Sequence, residues 1–186
     1  MNNSKLNIRK TTVALTQIAV CAALLCVLSP LSIPTPISVS FTLQVLIVIL
    51  TALVLKPLYA LAAQLIYTLL GLIGLPVFSM YKSGFAALAG PTGGFIIGFI
   101  LASFFVSALK GSADSKYAII RYIAVAVAVG IPCIYAPGIA GFMIYTGADL
   151  GGAFVAVAAT FLPIDIAKCV IAGLLAVPIS KRLEKI

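Results

Sequence analysis

Pro163-Ile164-Asp165-Ile166-Ala167-Lys168 sets an acid and a base three residues apart inside a long apolar run. On a helix that spacing puts both side chains on one face, close enough to pair. The chain has twelve Lys and Arg and four Asp and Glu, and by the segmentation below only these two lie inside such a run. A charge at membrane depth is expensive, so it faces a protein interior or a wet cavity and marks a functional site. Pro163 suits a first helical turn, where its missing N–H is not needed. The pair is therefore expected near one end of a spanning helix, at a site open to one side of the membrane.

The 186 residues are 63% hydrophobic and 9% charged, with a mean hydropathy of +1.25. A soluble domain carries about 25% charged residues, so composition indicates an integral membrane protein without a separate soluble domain. At about 20 residues per span the length allows roughly six or seven helices. Histidine is absent, and Cys21, Cys26, Cys133 and Cys169 have no metal-site or disulfide spacing, so core packing is their expected role. Met1–Lys10 is basic and precedes the apolar run Thr11–Leu28, which mimics a signal peptide. That run exceeds the usual ~7–15 residues and no A-x-A-like site follows, so it is read as a retained first helix.

Six helices are expected. The first covers roughly 11–29, followed by an uncharged loop with Pro30, Pro34 and Pro36. The second starts near Ser40–Phe41 and ends before Lys56-Pro57, because proline disfavours helix in the residue before it. The third covers 58–73, and a long glycine-rich connection over 74–94 leads to the fourth, 92–109. The fifth, 117–145, holds Gly130, Pro132, Pro137 and Gly138 and should be kinked or broken. Gly151–Leu162 is apolar but short, and is read as a re-entrant or interfacial helix ahead of a sixth helix from Pro163 to about Ser180. The competing reading is one continuous helix over 152–180, kinked at Pro163. No internal repeat is evident, which argues against inverted halves.

With the N-terminus inside, the cytoplasmic set is Lys5, Arg9, Lys10, Lys56, Lys110, Lys116, Arg121, Lys181, Arg182 and Lys185, while the outer loops hold only Lys82. This is a strong positive-inside signal. The expected architecture is an all-α integral membrane protein: six transmembrane helices, re-entrant or lid loops outside, both termini cytoplasmic, and one substrate-binding domain over 1–186. The positive charge reports topology, not nucleic-acid binding.

Three irregular stretches then converge on the outer side with Asp165 and Lys168: the 30–44 loop, the 74–94 connection and the 146–168 region. Irregular backbone at membrane depth requires protein or a cavity beside it, and glycines such as Gly90 and Gly93 let a ligand approach the backbone. The pair is read as ligand-binding, with a structural ion pair that locks helix packing as the plainer alternative. Gln44 could bond a polar ligand or a neighbouring helix; Gln17 and Gln64 have weaker claims, and Tyr67 reads as packing. Phe41, Phe78 and Tyr81 are candidate apolar walls, and Ser79 and Thr92 candidate donors. Asp149 and Lys82 read as solvated charges. Ala19 and Ala23 form a small-xxx-small face on the first helix, and Gly90, Gly94, Gly98 and Ala102 recur every fourth residue. No Gly-Lys dipeptide, hence no Walker A loop, no H-E-x-x-H and no G-x-S-x-G occurs, so neither ATP binding nor catalysis is indicated.

Phe41-Thr42-Leu43-Gln44, Gly74-Leu75-Pro76-Val77-Phe78, Gly90-Pro91-Thr92-Gly93-Gly94-Phe95 and Pro163 with Asp165 and Lys168 together resemble the BioY family over nearly the whole chain. These are the biotin-specific substrate-binding (S) components of energy-coupling-factor (ECF) transporters. Two departures stand out: Ile164 where the family usually has Gly, and Ser79-Met80-Tyr81-Lys82-Ser83 in place of a glycine-rich run. The resemblance implies biotin capture at the outer side of a prokaryotic plasma membrane and delivery with a transmembrane coupling protein and two cytoplasmic ATPases. It further implies that Ala19 and Ala23 meet the coupling protein, and that the protein has no cofactor of its own. Asp165 would accept from the ureido N–H groups. Lys168, Gln44, Ser79 and N–H groups near Thr92 and Gly93 would complete the polar contacts. An S component for another vitamin and a self-sufficient proton-coupled carrier are the competing functions.

Overall fold

The structure, a computed structural model, describes residues 2–33 and 40–183, with side chains from Lys10 onward. Pro34, Pro36, Lys185 and the side chains of Lys5 and Arg9 lie outside the described residues. Helix α1 (Asn2–Leu28) is long and apolar enough over Lys10–Leu28 to cross a membrane, yet only 11% of that window is buried. It lies on the outside of the bundle, docked on α2 (Gln44–Val54) and α3 (Pro57–Leu72) through small residues such as Ala22 against Ala60 and Ala63.

Between α1 and α2 the expected helix start at Ser40–Phe41 is instead a two-residue strand. Strand β1 (Ser32–Ile33) pairs antiparallel with β2 (Phe41–Thr42), Ser32 opposite Thr42 and Ile33 opposite Phe41. Thr42 Oγ1 then accepts from the Gln44 N–H at 3.2 Å, satisfying one of the free donors where α2 begins. Helix α2 is central: Val48, Ile49, Ala52 and Leu53 are fully buried. It ends at the predicted break before Lys56-Pro57. Its last carbonyls are satisfied by other helices: Lys110 Nζ donates to Leu53 O (2.6 Å) and Leu55 O (2.5 Å), Ser107 Oγ to Leu55 O and Ser180 Oγ to Leu53 O. Lys110, expected as a loop charge, thus also caps a helix whose C-terminal dipole favours a cation.

The 74–94 connection folds into a turn over Ser79–Tyr81 and a short helix α4 (Phe85–Ala89) before α5 (Gly93–Leu109). Helix α6 (Ala118–Thr146) is continuous and bent rather than broken. A wide π turn over Ala126–Gly130 precedes Pro132 and absorbs the proline's missing donor. The Gly94/Gly98 stripe is internal packing. A Cβ on Gly94 would sit 2.0 Å from Pro137 O and one on Gly98 2.7 Å from Ile134 O, so α5 and α6 touch backbone to backbone.

The last helix corrects the sequence reading most. Gly151–Leu162 is not re-entrant; α7 (Leu150–Leu183) is one helix of 34 residues, as in the competing reading. Asp149, expected as a loop charge, caps its start by accepting from the Gly152 N–H at 3.3 Å. A second π turn over Phe154–Ala159 lets the helix run through Pro163, which is therefore interior, not at a first turn. At 1.5 Å per residue α7 is about 51 Å long, beyond a hydrocarbon core of roughly 30 Å, and the acid-base pair sits mid-helix. Helices α1, α6 and α7 are long and apolar enough to cross a membrane, and α2, α3 and α5 are shorter apolar helices. Large apolar side chains such as Leu58, Ile73 and Ile144 face outward, as a lipid-facing surface requires.

Candidate functional site

The starts of α2 and α5, the Phe78–Ser79 segment and the middles of α6 and α7 enclose a cavity with apolar walls and several polar side chains. With its open mouth counted it holds ≈ 610 Å³ of empty volume. Its walls are Val45, Phe78, Phe95, Ile96, Phe99, Val157 and Phe161. Its polar groups are Ser40, Thr42, Gln44, Ser79, Thr92, Tyr135, Asp165 and Lys168. A mostly apolar pocket with a few placed polar groups is the usual form of a small-molecule site.

Asp165 is 6% exposed, and each of its carboxylate oxygens has one partner. Lys168 Nζ donates to Oδ1 at 2.7 Å, and Tyr135 OH donates to Oδ2 at 2.7 Å. Both distances are those of charge-assisted hydrogen bonds. Each oxygen has room for a further donor, and Asp165, Lys168 and Tyr135 all line the cavity. The pair is therefore an ion pair that also faces open space. Phe95 stacks edge-on against Tyr135, with centroids 6.1 Å apart, and holds the phenol over the acid.

Gln44 is the second fixed polar group. Its Nε2 lies 2.8 Å from Tyr67 OH, and that hydroxyl donates to Val77 O at 3.2 Å. Tyr67, expected as packing, does pack: Phe78 stands edge-on to its ring at 5.7 Å. Phe78 reaches that position because residue 71 is glycine, where a Cβ would fall 2.2 Å from the ring. Tyr67 is therefore also the hydrogen-bonding support of a cavity residue.

Six residues singled out from the sequence line the cavity: Gln44, Phe78, Ser79, Thr92, Asp165 and Lys168. Phe41 stands behind it, its ring 4.6 Å from that of Phe161. Tyr81 points outward, 62% exposed. Gly90 and Gly93 do not line the cavity either. The Gly93 N–H already donates to Gly90 O, and a Cβ on Gly93 would overlap Leu88 O, so its glycine serves packing under α4. Ala19 and Ala23 are exposed on α1, beside a shallow groove shared with Ile66 and Leu70 of α3. Gln17 faces a separate apolar groove, and Gln64 is fully buried with no hydrogen-bond partner for its side-chain amide among the described residues. Among the described residues no cluster of three His, Cys, Asp or Glu forms a metal site. The four cysteines are free thiols, of which Cys169 is fully buried and the others half-buried.

Sequence reasoning missed Tyr135, Phe95, Ile96, Phe99, Val157 and Phe161. The last two carried a signal: Val157, Phe161 and Asp165 fall at four-residue intervals, one face of a continuous helix. Thr92, Phe95, Ile96 and Phe99 similarly share a face of α5.

The BioY family profile matches residues 1–185. Biotin transporter BioY of Thermotoga maritima is 41% identical over 146 residues, covering 78% of this chain and 83% of that protein. A probable biotin transporter BioY of Bacillus subtilis is 33% identical over 172 residues, 90% of each chain. The crystal structure of the S-component for biotin from an ECF-type ABC transporter superposes with a TM-score of 0.85, covering 97% of this chain and 94% of that one at 24% identity, and so shares the fold.

Proposed function

The chain belongs to the BioY family, and from that membership we propose that it is the biotin-binding S component of an ECF-type uptake transporter. The observation that carries the reading is the Asp165–Lys168–Tyr135 cluster, a buried charge pair turned toward a cavity with aromatic walls. Biotin offers two ureido N–H donors, a carbonyl, an apolar thioether ring and a carboxylate tail. Asp165 accepts from a ureido N–H, and Lys168 pairs with that carboxylate while donating to the ligand's carbonyl or carboxylate. Gln44, Ser79 and Thr92 supply the remaining polar contacts, and Phe78, Phe95, Phe99 and Phe161 enclose the apolar ring. The ligand occupies the cavity together with its open mouth.

In this reading six helices cross a prokaryotic plasma membrane and both termini are cytoplasmic. The fold supports this: Thr16 of α1, Leu55 after α2 and Leu183 of α7 border one groove, so the first half of α1 and the basic last turn of α7 lie on the same side of the bundle as Lys110. Biotin is taken up on the opposite side. The exposed Ala19/Ala23 face of α1 docks a transmembrane coupling protein, and two ATPases beneath it hydrolyse the ATP. The S component itself needs no cofactor.

Titration of the purified protein with biotin in detergent tests the reading. Saturable binding of one biotin per chain, undisturbed by excess of an unrelated vitamin, is expected. No heat or fluorescence change up to millimolar biotin would overturn it.

A further inference from the structure

Tyr67 lies outside the cavity, yet its hydroxyl joins a cavity residue to the chain beside it. A phenol has one proton to give. That proton goes to Val77 O, a carbonyl in a buried stretch, at 3.2 Å. The atom 2.8 Å away on Gln44 must then be a donor, which puts Nε2 toward Tyr67. Turning the amide over would set two acceptors against one proton and leave a buried carbonyl unpaired, which costs more than the bond gains. With Nε2 so held, Gln44 Oε1 is left as an acceptor at the cavity wall.

We propose that Tyr67 is a positioning residue for ligand recognition, fixing the Gln44 amide so that its carbonyl, like the Asp165 carboxylate, receives an N–H of the bound molecule. The cavity then holds two acceptors, one charged and one neutral, on different helices. This selects a ligand with two N–H donors on one rigid ring, as in a cyclic urea, over analogues that lack one of them. Phe78 and Gly71 belong to the same device, since the ring seated over Gly71 holds Tyr67 edge-on.

This inference rests on the cavity being the biotin site. Its test is a double-mutant cycle on the full chain, read as biotin dissociation constants for wild type, Tyr67→Phe, Gln44→Met and the double variant. Each single change should weaken binding about tenfold, the net worth of one hydrogen bond or slightly more. The pair should lose little more than Gln44→Met alone, because Phe keeps the ring packed against Phe78 and the lost hydroxyl acts on the ligand through that amide. Losses that multiply to about a hundredfold would assign Tyr67 to packing and overturn the proposal. Should Tyr67→Phe fail to fold, Gln44→Glu decides. Its carboxylate accepts the Tyr67 proton that Val77 O otherwise receives and still offers an oxygen to the ligand, so biotin binding should survive while a charged acceptor replaces the neutral one; loss of binding in a folded variant would overturn the proposal. A wild-type protein that binds no biotin would instead sink the functional reading beneath it.

Discussion

Replacing Asp165 by Asn changes one oxygen to an amide nitrogen and removes one charge. The native carboxylate receives Lys168 and Tyr135 at 2.7 Å each and is 6% exposed, so solvent screens neither contact appreciably. A hydrogen bond to a charged group is worth roughly 1.5–3 kcal/mol against about 1 for a neutral one. A ligand N–H on a neutral amide therefore binds about 1–2 kcal/mol more weakly. A second loss follows: the new NH₂ can donate to the Tyr135 oxygen, but the neutral amide leaves the Lys168 ammonium without its counter-charge. Together the change should cost at least ~2 kcal/mol, about 30-fold in affinity. Isothermal titration of Asp165→Asn with biotin measures it, with thermal unfolding of the ligand-free variant to establish that it is folded. Affinity within twofold of wild type in a folded variant would remove Asp165 from the site.

Gly98→Leu forces a side chain where even a Cβ lies 2.7 Å from Ile134 O, so it should destabilise the α5–α6 contact by about 3 kcal/mol or more, seen in thermal unfolding. Lys110→Met uncaps α2 and should cost about 1–3 kcal/mol of stability while leaving biotin affinity unchanged, since Lys110 lies at the far end of α2 from Gln44. Ala19→Leu with Ala23→Leu should leave biotin binding intact but abolish uptake in cells supplying the partner subunits, because it roughens an exposed helix face.

The membrane class, the break at Lys56-Pro57 and the acid-base pair were legible because each depends on local sequence: run length, a proline, two charges. The course of 146–163 was not, because Pro163 reads as a helix start unless a π turn absorbs it. That turn is made by Phe154–Ala159, which carries no distinctive residue. Reading Pro163 as a boundary also hid Val157 and Phe161, which share a face with Asp165 only on an unbroken helix. Tyr135 was invisible for a different reason: its partner is thirty positions away, on another helix. Tyr67 had the opposite fate, read as packing because nothing near it in sequence announces Gln44. Gly90 and Gly93 were read as ligand-facing from composition, but the close approach they permit is to Ala86 and Leu88 of this chain.

A crystal structure of the protein with biotin bound is the most direct measurement. It should place a ureido nitrogen within about 3 Å of an Asp165 carboxylate oxygen, with the thioether ring among Phe78, Phe99 and Phe161. Biotin seated elsewhere, with Asp165 still bonded only to Lys168 and Tyr135, would contradict the account.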